Sequence, residues 1–202
     1  MTTLLLIRHG ENDYTQSGRL AGRLPVALNE KGLKQAQAIA QALHKRDVHA
    51  IYASPLLRTQ QTAQPLAQEK NLPILPLPAV QEVDFGDWQD CFLKDLRKEK
   101  LWKSVIQTPS VVQFPNGESF VQAQTRAVQA LLEMAESHAS PKAVIAIFSH
   151  SDMIKLMVSY FLGQPLDFFQ RIVINTASIS TLSIHRGQIA VMAVNQACHQ
   201  FA

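Results

Sequence analysis

The chain has 202 residues, 47% of them apolar, and a formal net charge of +3. That length suits one domain with a full hydrophobic core, no apolar run approaches the ~20 residues that span a bilayer, and the basic residues form no concentrated stripe of the kind that binds nucleic acid. The two cysteines, Cys91 and Cys198, lie far apart and outside any ligand-spaced motif, and Met1-Thr2-Thr3 offers no basic leader, so the expectation is a cytoplasmic protein with free thiols and no metal site.

Thr2–Ile7 reads as a fully buried strand, with Arg8-His9-Gly10 at its carboxyl end. Asn29 caps a helix whose apolar residues Leu33, Ala36, Ile39, Ala40 and Leu43 follow the 3.6-residue period. Ala50–Ala53 is a short second strand. Ser54 and Pro55 then read as N-cap and first residue of a helix that Pro65 should kink or end. Asn71–Pro78 holds a short edge strand at best. Residues 84–117 carry Phe85, Trp88, Phe92, Trp102 and Phe114 and read as a segment covering the domain. Ser119–Ser137 is a long helix, Ala143–Phe148 a buried strand, and Ser151–Leu162 a helix with Gly163 just past its end. Arg171–Asn175, Ser178–Ile184 and Ile189–Val194 read as β runs, the last two joined by a turn at Arg186-Gly187. Alternating apolar strands and helices predict a single α/β domain with a mainly parallel central sheet flanked by helices on both faces.

In such sheets ligands bind at the carboxyl edge of the strands. Arg8-His9-Gly10 puts an anion-binding guanidinium beside a nucleophile there. Arg58 falls in the first turn of the helix after the second strand, where free amides and the helix dipole already favour an anion. Ser149-His150-Ser151 repeats that geometry after a third buried strand. Glu82, shortly before Phe85-Gly86-Asp87-Trp88, is a carboxyl near aromatic side chains, and desolvation there would raise its pKa as a general acid requires.

Together these motifs resemble the histidine phosphatase superfamily, the phosphoglycerate-mutase-like proteins. The resemblance rests on Arg8-His9-Gly10-Glu11, Arg58 in Ser-Pro-Leu-Leu-Arg-Thr-Gln-Gln-Thr-Ala, Glu82 before Phe-Gly-Asp-Trp, Pro115-Asn116-Gly117-Glu118-Ser119, and Ser149-His150, in that order along the chain. Gly22 and Leu28-Asn29-Glu30-Lys31-Gly32 also fit it. The resemblance implies that His9 is the nucleophile and carries the phosphoryl group. Arg8, Arg58 and His150 would hold the phosphoryl oxygens, and Glu82 would protonate the leaving oxygen and then activate water. The family pattern is broken at Asn12, where Thr or Ser is common, at Thr15, where many members have a phosphate-contacting Asn, and at Gln89-Asp90, in place of Glu-Gly. Asn12 can still donate to a phosphate, and the Thr15 hydroxyl can replace one contact.

The expected activity is hydrolysis of a small phosphomonoester without metal or cofactor. The alternatives are a phosphoglycerate mutase and a non-catalytic phosphate-binding module. The short chain disfavours the mutase, and the intact His9 and Glu82 disfavour the binding module. The expected partner is a small phosphorylated substrate, with neither nucleic acid nor membrane, and the sequence leaves the oligomeric state open. His44, His49, His138, His185 and His199 lack motif context and are not assigned to the site. Lys94, Arg97, Lys98, Lys100 and Lys103 alternate with Asp95 and Glu99 and read as a solvated face.

Overall fold

The computed structural model describes residues 2–137, 142–185 and 188–198. Its first strand, Thr2–Arg8 (β1), buries Leu4, Leu5, Leu6 and Ile7 completely. Because side chains alternate along a strand, Leu4 and Leu6 enter one core layer while Leu5 and Ile7 enter the other. Each contributes roughly 1.5–3 kcal/mol of burial. A run apolar on both faces belongs in the middle of a covered sheet.

A short helix, Asp13–Ser17 (α1), follows β1, capped by the Asn12 side chain, which accepts from the Thr15 amide. Glu30–Ala42 (α2) is capped by Asn29, whose Oδ1 accepts from Gly32 N at 2.9 Å. Ala36, Ile39, Ala40 and Leu43 are buried as their period requires, but Leu33 is 48% exposed and Gly32 takes the inward place. Ala50–Ala53 forms β2. The next helix, Leu57–Lys70 (α3), corrects two expectations. It starts after Leu56, so Ser54 and Pro55 precede it, and Ser54 Oγ is only 3.4 Å from Leu56 N while bonding His150 at 2.8 Å. It also runs through Pro65, because Ala63, Leu66 and Ala67 are buried on both sides of the proline and packing outweighs the lost backbone bond. Ile74–Pro76 (β3) is the edge strand.

The segment after Glu82 contains a 3-10 turn at Gly86–Trp88 and helices Leu93–Leu96 (α4) and Lys100–Gln107 (α5). Phe85, Trp88 and Phe114 are buried, with Phe114 edge-on to Phe85, Trp88 and Phe120, so these aromatics extend the main core. Phe120–Ser137 (α6) opens with a reciprocal cap: Ser119 Oγ accepts from Gln122 N at 3.1 Å, and Gln122 Oε1 accepts from Ser119 N at 2.8 Å. Val144–Ser149 (β4) and Ser151–Phe161 (α7) follow. Gly163, at φ 66°, ends that helix in the left-handed conformation.

Arg171–Asn175 is not a strand. Leu166–Arg171 winds as a 3-10 helix around buried Phe169, and irregular chain leads to Ile179–His185 (β5) and Gln188–Gln196 (β6). The turn expected at Arg186-Gly187 lies outside the described residues, as do His138 and His199.

The six strands lie in the order β3-β2-β4-β1-β5-β6. The first four are parallel, and β5 and β6 add antiparallel strands. Helices α2 and α3 contribute to the core layer with Leu5 and Ile7, and α6 and α7 to the layer with Leu4 and Leu6. The parallel register aligns Arg8 with Ser149 and Ala53 with Phe148, so β1, β2 and β4 end together. No helix among the described residues is long and apolar enough to cross a membrane.

Candidate active site

Three strand ends and one helix start converge at that edge. Arg8 closes β1 and His9 follows it, anchored by His9 N donating to Ser149 O at 3.0 Å. His150 directly follows β4, and its ring meets the His9 ring edge-on with centroids 5.3 Å apart. Arg58 sits in the first turn of α3. One turn on, the Thr62 hydroxyl accepts from Gly10 N at 3.0 Å, tying the helix to the loop behind His9. Arg8, His9, Asn12, Thr15, Arg58 and Glu82 line one pocket.

His9 is 4% exposed. Burial, with the Arg58 and Arg8 charges beside it, holds its imidazole well below the usual range, so the ring is neutral at pH 7. Its Nδ1 lies 2.7 Å from Gly10 O, which can only accept. The proton therefore sits on Nδ1, and Nε2 keeps its lone pair. A neutral imidazole with a free, oriented Nε2 is a competent nucleophile.

Arg58 is 1% exposed, and Nη1 and Nη2 donate to Leu24 O at 3.1 Å and Gly22 O at 2.7 Å. Burial lowers its pKa to about 10, which still leaves it charged at pH 7. Arg8 donates from Nη1 to Ile174 O at 2.6 Å. Asn12 spends Oδ1 on the Thr15 amide at 2.8 Å and the Thr15 hydroxyl at 3.0 Å. The Thr15 hydroxyl, expected as a phosphate contact, is thus given to Asn12, and the pair fixes which end of the Asn12 amide is free. Four buried side-chain polar atoms among the described residues have no hydrogen-bond partner: Arg8 Nε, Asn12 Nδ2, Arg58 Nε and His150 Nδ1. All four are nitrogens of residues singled out from the sequence. An unpaired buried polar group costs ~1–3 kcal/mol; Arg8, Asn12 and Arg58 line the pocket, and His150 lies behind it against the His9 ring.

Glu82 is 9% exposed. Burial, reinforced by the Asp152 charge, raises its carboxyl to about 7 against the opposing pull of Arg58 and Arg8. Its Oε1 accepts from Val83 N at 3.0 Å. A carboxyl with that pKa can donate a proton and take one back near neutral pH. Asp152, in the first turn of α7, lines the pocket and pairs with Lys155 at 3.0 Å. Sequence reasoning missed it, although its place two residues after His150 was the available signal. It also misassigned Ser54, which is buried against His150 Nε2. His44 and His49 pair with Glu69 and Asp47, outside the pocket. Among the described residues no group of three or more His, Cys, Asp or Glu side chains could hold a metal ion.

The family model described as histidine phosphatase superfamily (branch 1) matches residues 4–197. The chain belongs to that superfamily. Similar proteins include phosphoserine phosphatase 1 of Hydrogenobacter thermophilus, 30% identical over 201 residues, covering 98% of this chain and 94% of the relative. A probable phosphoglycerate mutase GpmB of Proteus mirabilis is 30% identical over 185 residues, covering 89% and 84%. Among solved structures, a phosphoserine phosphatase mutant from Entamoeba histolytica in complex with phosphoserine superposes with a TM-score of 0.90 at 25% identity, covering 98% of this chain and 99% of that one. Superfamily membership and the mainly parallel sheet thus agree with the resemblance read from the motifs.

Proposed function

We propose that the chain hydrolyses a small phosphomonoester through a phosphohistidine at His9. His9 Nε2 attacks phosphorus and the ester P–O bond breaks. Glu82 gives its proton to the departing oxygen. Glu82, now a carboxylate, takes a proton from water as the water oxygen attacks phosphorus, the P–N bond breaks, and His9 and phosphate are released. Arg8, Arg58 and Asn12 donate to the phosphoryl oxygens. With the Ser54 hydroxyl donating to His150 Nε2, the His150 proton sits on Nδ1 and points a further donor at the same group. No metal is needed, because two guanidiniums supply the positive charge. The observation that carries this reading is the set of four unpaired buried nitrogens gathered about a neutral His9.

Phosphoserine is the first substrate to try, given that two of the proteins named above are phosphoserine phosphatases. The likeness to a probable mutase keeps phosphoryl return to substrate as a second reading. The pocket rim favours hydrolysis. Its one cation besides Arg8 and Arg58, among the described residues, is Arg19, which pairs with Asp90 at 3.0 Å, so a second anionic group would have to compete with that carboxylate for it.

His9→Ala should abolish phosphate release from a panel of phosphomonoesters while the fold, read by circular dichroism, stays intact. Labelling quenched in alkaline denaturant should trap an acid-labile, base-stable adduct on the natural chain only. Full turnover by the alanine variant would refute the mechanism.

A further inference from the structure

Glu82 stands on backbone that belongs to no helix or strand. Residues 81–85 link the 3-10 turn Pro78–Val80 to the turn at Gly86–Trp88. Side chains, rather than a backbone ladder, hold this stretch. Arg126, in the second turn of α6, donates to Ala79 O at 2.6 Å, Gln81 O at 2.9 Å and Glu82 O at 3.3 Å. Arg23 Nε adds a second donor to Glu82 O at 3.2 Å. Both arginines converge on Glu118. Its Oε1 accepts from Arg126 Nη2 at 2.6 Å, Arg23 Nη2 at 3.0 Å and the Asp84 amide at 2.9 Å, and its Oε2 accepts from Arg126 Nε at 3.1 Å.

The backbone repeats the clamp. Glu118 N donates to Asp84 O at 2.9 Å. A Cβ on Gly117 would fall 2.3 Å from Asp84 O and 2.7 Å from Gly86 N, so residue 117 must be glycine for the two segments to lie this close. Glu118 does not line the phosphate pocket, yet its side chain, 15% exposed, bonds the Asp84 amide while its backbone N–H bonds Asp84 O, and through Arg126 it reaches the other side of Glu82.

We propose that Glu118 is a positioning residue for proton transfer: through Arg126 and Arg23 it fixes where the Glu82 carboxyl stands relative to the leaving oxygen. This rests on Glu82 being the proton donor. Burial works against the Glu118 charge, but the Arg126 and Asp84 N–H bonds outweigh it and keep the carboxyl ionised. Proton delivery needs the acid within hydrogen-bond reach, and a misplacement of ~1 Å costs about a hundredfold. Glutamine at 118 keeps the shape but presents an N–H₂ to a guanidinium, so one arm of the clamp must let go.

The test compares Glu118→Gln, Glu82→Gln and the double variant. The readout is kcat/KM for an alkyl phosphate and for p-nitrophenyl phosphate, since kcat/KM reports the phosphorylation half-reaction. Glu118→Gln should slow the alkyl ester about tenfold or more and p-nitrophenyl phosphate, whose leaving group barely needs a proton, less than about threefold. In the Glu82→Gln background it should add nothing further for the alkyl ester, because the group it positions is already gone. Equal slowing of both esters, or additive losses in the double variant, would overturn the proposal and leave Glu82 in place. Equal slowing of both esters by Glu82→Gln alone would instead remove Glu82 as the acid, and the positioning role would fall with it. If Glu118→Gln does not fold, Arg126→Lys carries the same comparison. It keeps a cation but cannot bridge three carbonyls, and it should show the same split between esters, while equal slowing overturns the proposal.

Discussion

Replacing Glu82 by glutamine should stabilise the fold as it disables proton transfer, and the gain should grow with pH. Glu82 ionises near 4.5 in the unfolded chain and at about 7 in the folded one. Between those values the folded chain holds more protons, so rising pH favours unfolding. The contribution of the protonated side chain is therefore complete below pH 4.5 and is lost as pH climbs through about 7. Each pH unit of the gap is worth about 1.4 kcal/mol, which comes to roughly 3 kcal/mol above pH 7. Glutamine has nearly the same shape, can still accept from Val83 N, and does not titrate. Its advantage over the natural side chain should be small at pH 5 and most of that 3 kcal/mol at pH 8. For a chain of this length the difference corresponds to about 6–12 °C in Tm. Thermal or urea melts of both proteins at pH 5 and pH 8 measure it directly. A stability difference that is the same at both pH values, or smaller at pH 8, would show that burial does not hold Glu82 protonated, and the acid assignment would lose its electrostatic basis.

Activity should survive a chelator and be inhibited by vanadate, which adopts the five-coordinate geometry of the transferring group; loss in chelator with recovery on added magnesium or zinc would refute a site built on guanidiniums. With 3-phosphoglycerate and a bisphosphoglycerate primer, phosphate release should match or exceed formation of 2-phosphoglycerate, and rapid isomer exchange without release would establish the mutase. Gly32→Ala should lower stability by about 2 kcal/mol or more, because the new Cβ would lie 2.0 Å from Glu11 O, in the segment just behind His9. An unchanged Tm would show that this segment yields freely.

Much of this site was legible because its parts are local. A short apolar run followed by Arg-His-Gly states both a buried strand and what stands at its end, and the same holds for Ser149-His150. The misreadings have a common cause in long-range packing. Ser54 has the composition of a helix cap, but its hydroxyl is drawn to His150, 96 positions away. Pro65 is a helix breaker in isolation, but Leu66 and Ala67 beyond it are held by the core. Leu33 fits the apolar period of α2, yet close approach of Gly32 to Glu11 turns it to solvent. Arg171–Asn175 has strand-like composition, but Phe169 anchors the preceding turn and the Asn175 amide is taken by the Asn195 side chain rather than by a backbone ladder. Glu118 stood within a recognised motif, but its contacts with Asp84, Arg23 and Arg126 involve three separate segments, which no local pattern encodes.

The strand order has a consequence for synthesis. β1 is made well before its neighbours in the sheet, which are β4, where Leu4 faces Ile145, and β5, where Leu4 faces Leu182. At ~5–20 residues per second, a ribosome needs on the order of ten seconds to reach them. For that interval the nascent chain carries a wholly apolar strand with both edges unpaired, a template for association with other chains. Loop closure over so long a separation also places this fold among the slower folders. His9 is thus enclosed long after it is translated: its contact with the His150 ring cannot form until β4 has docked.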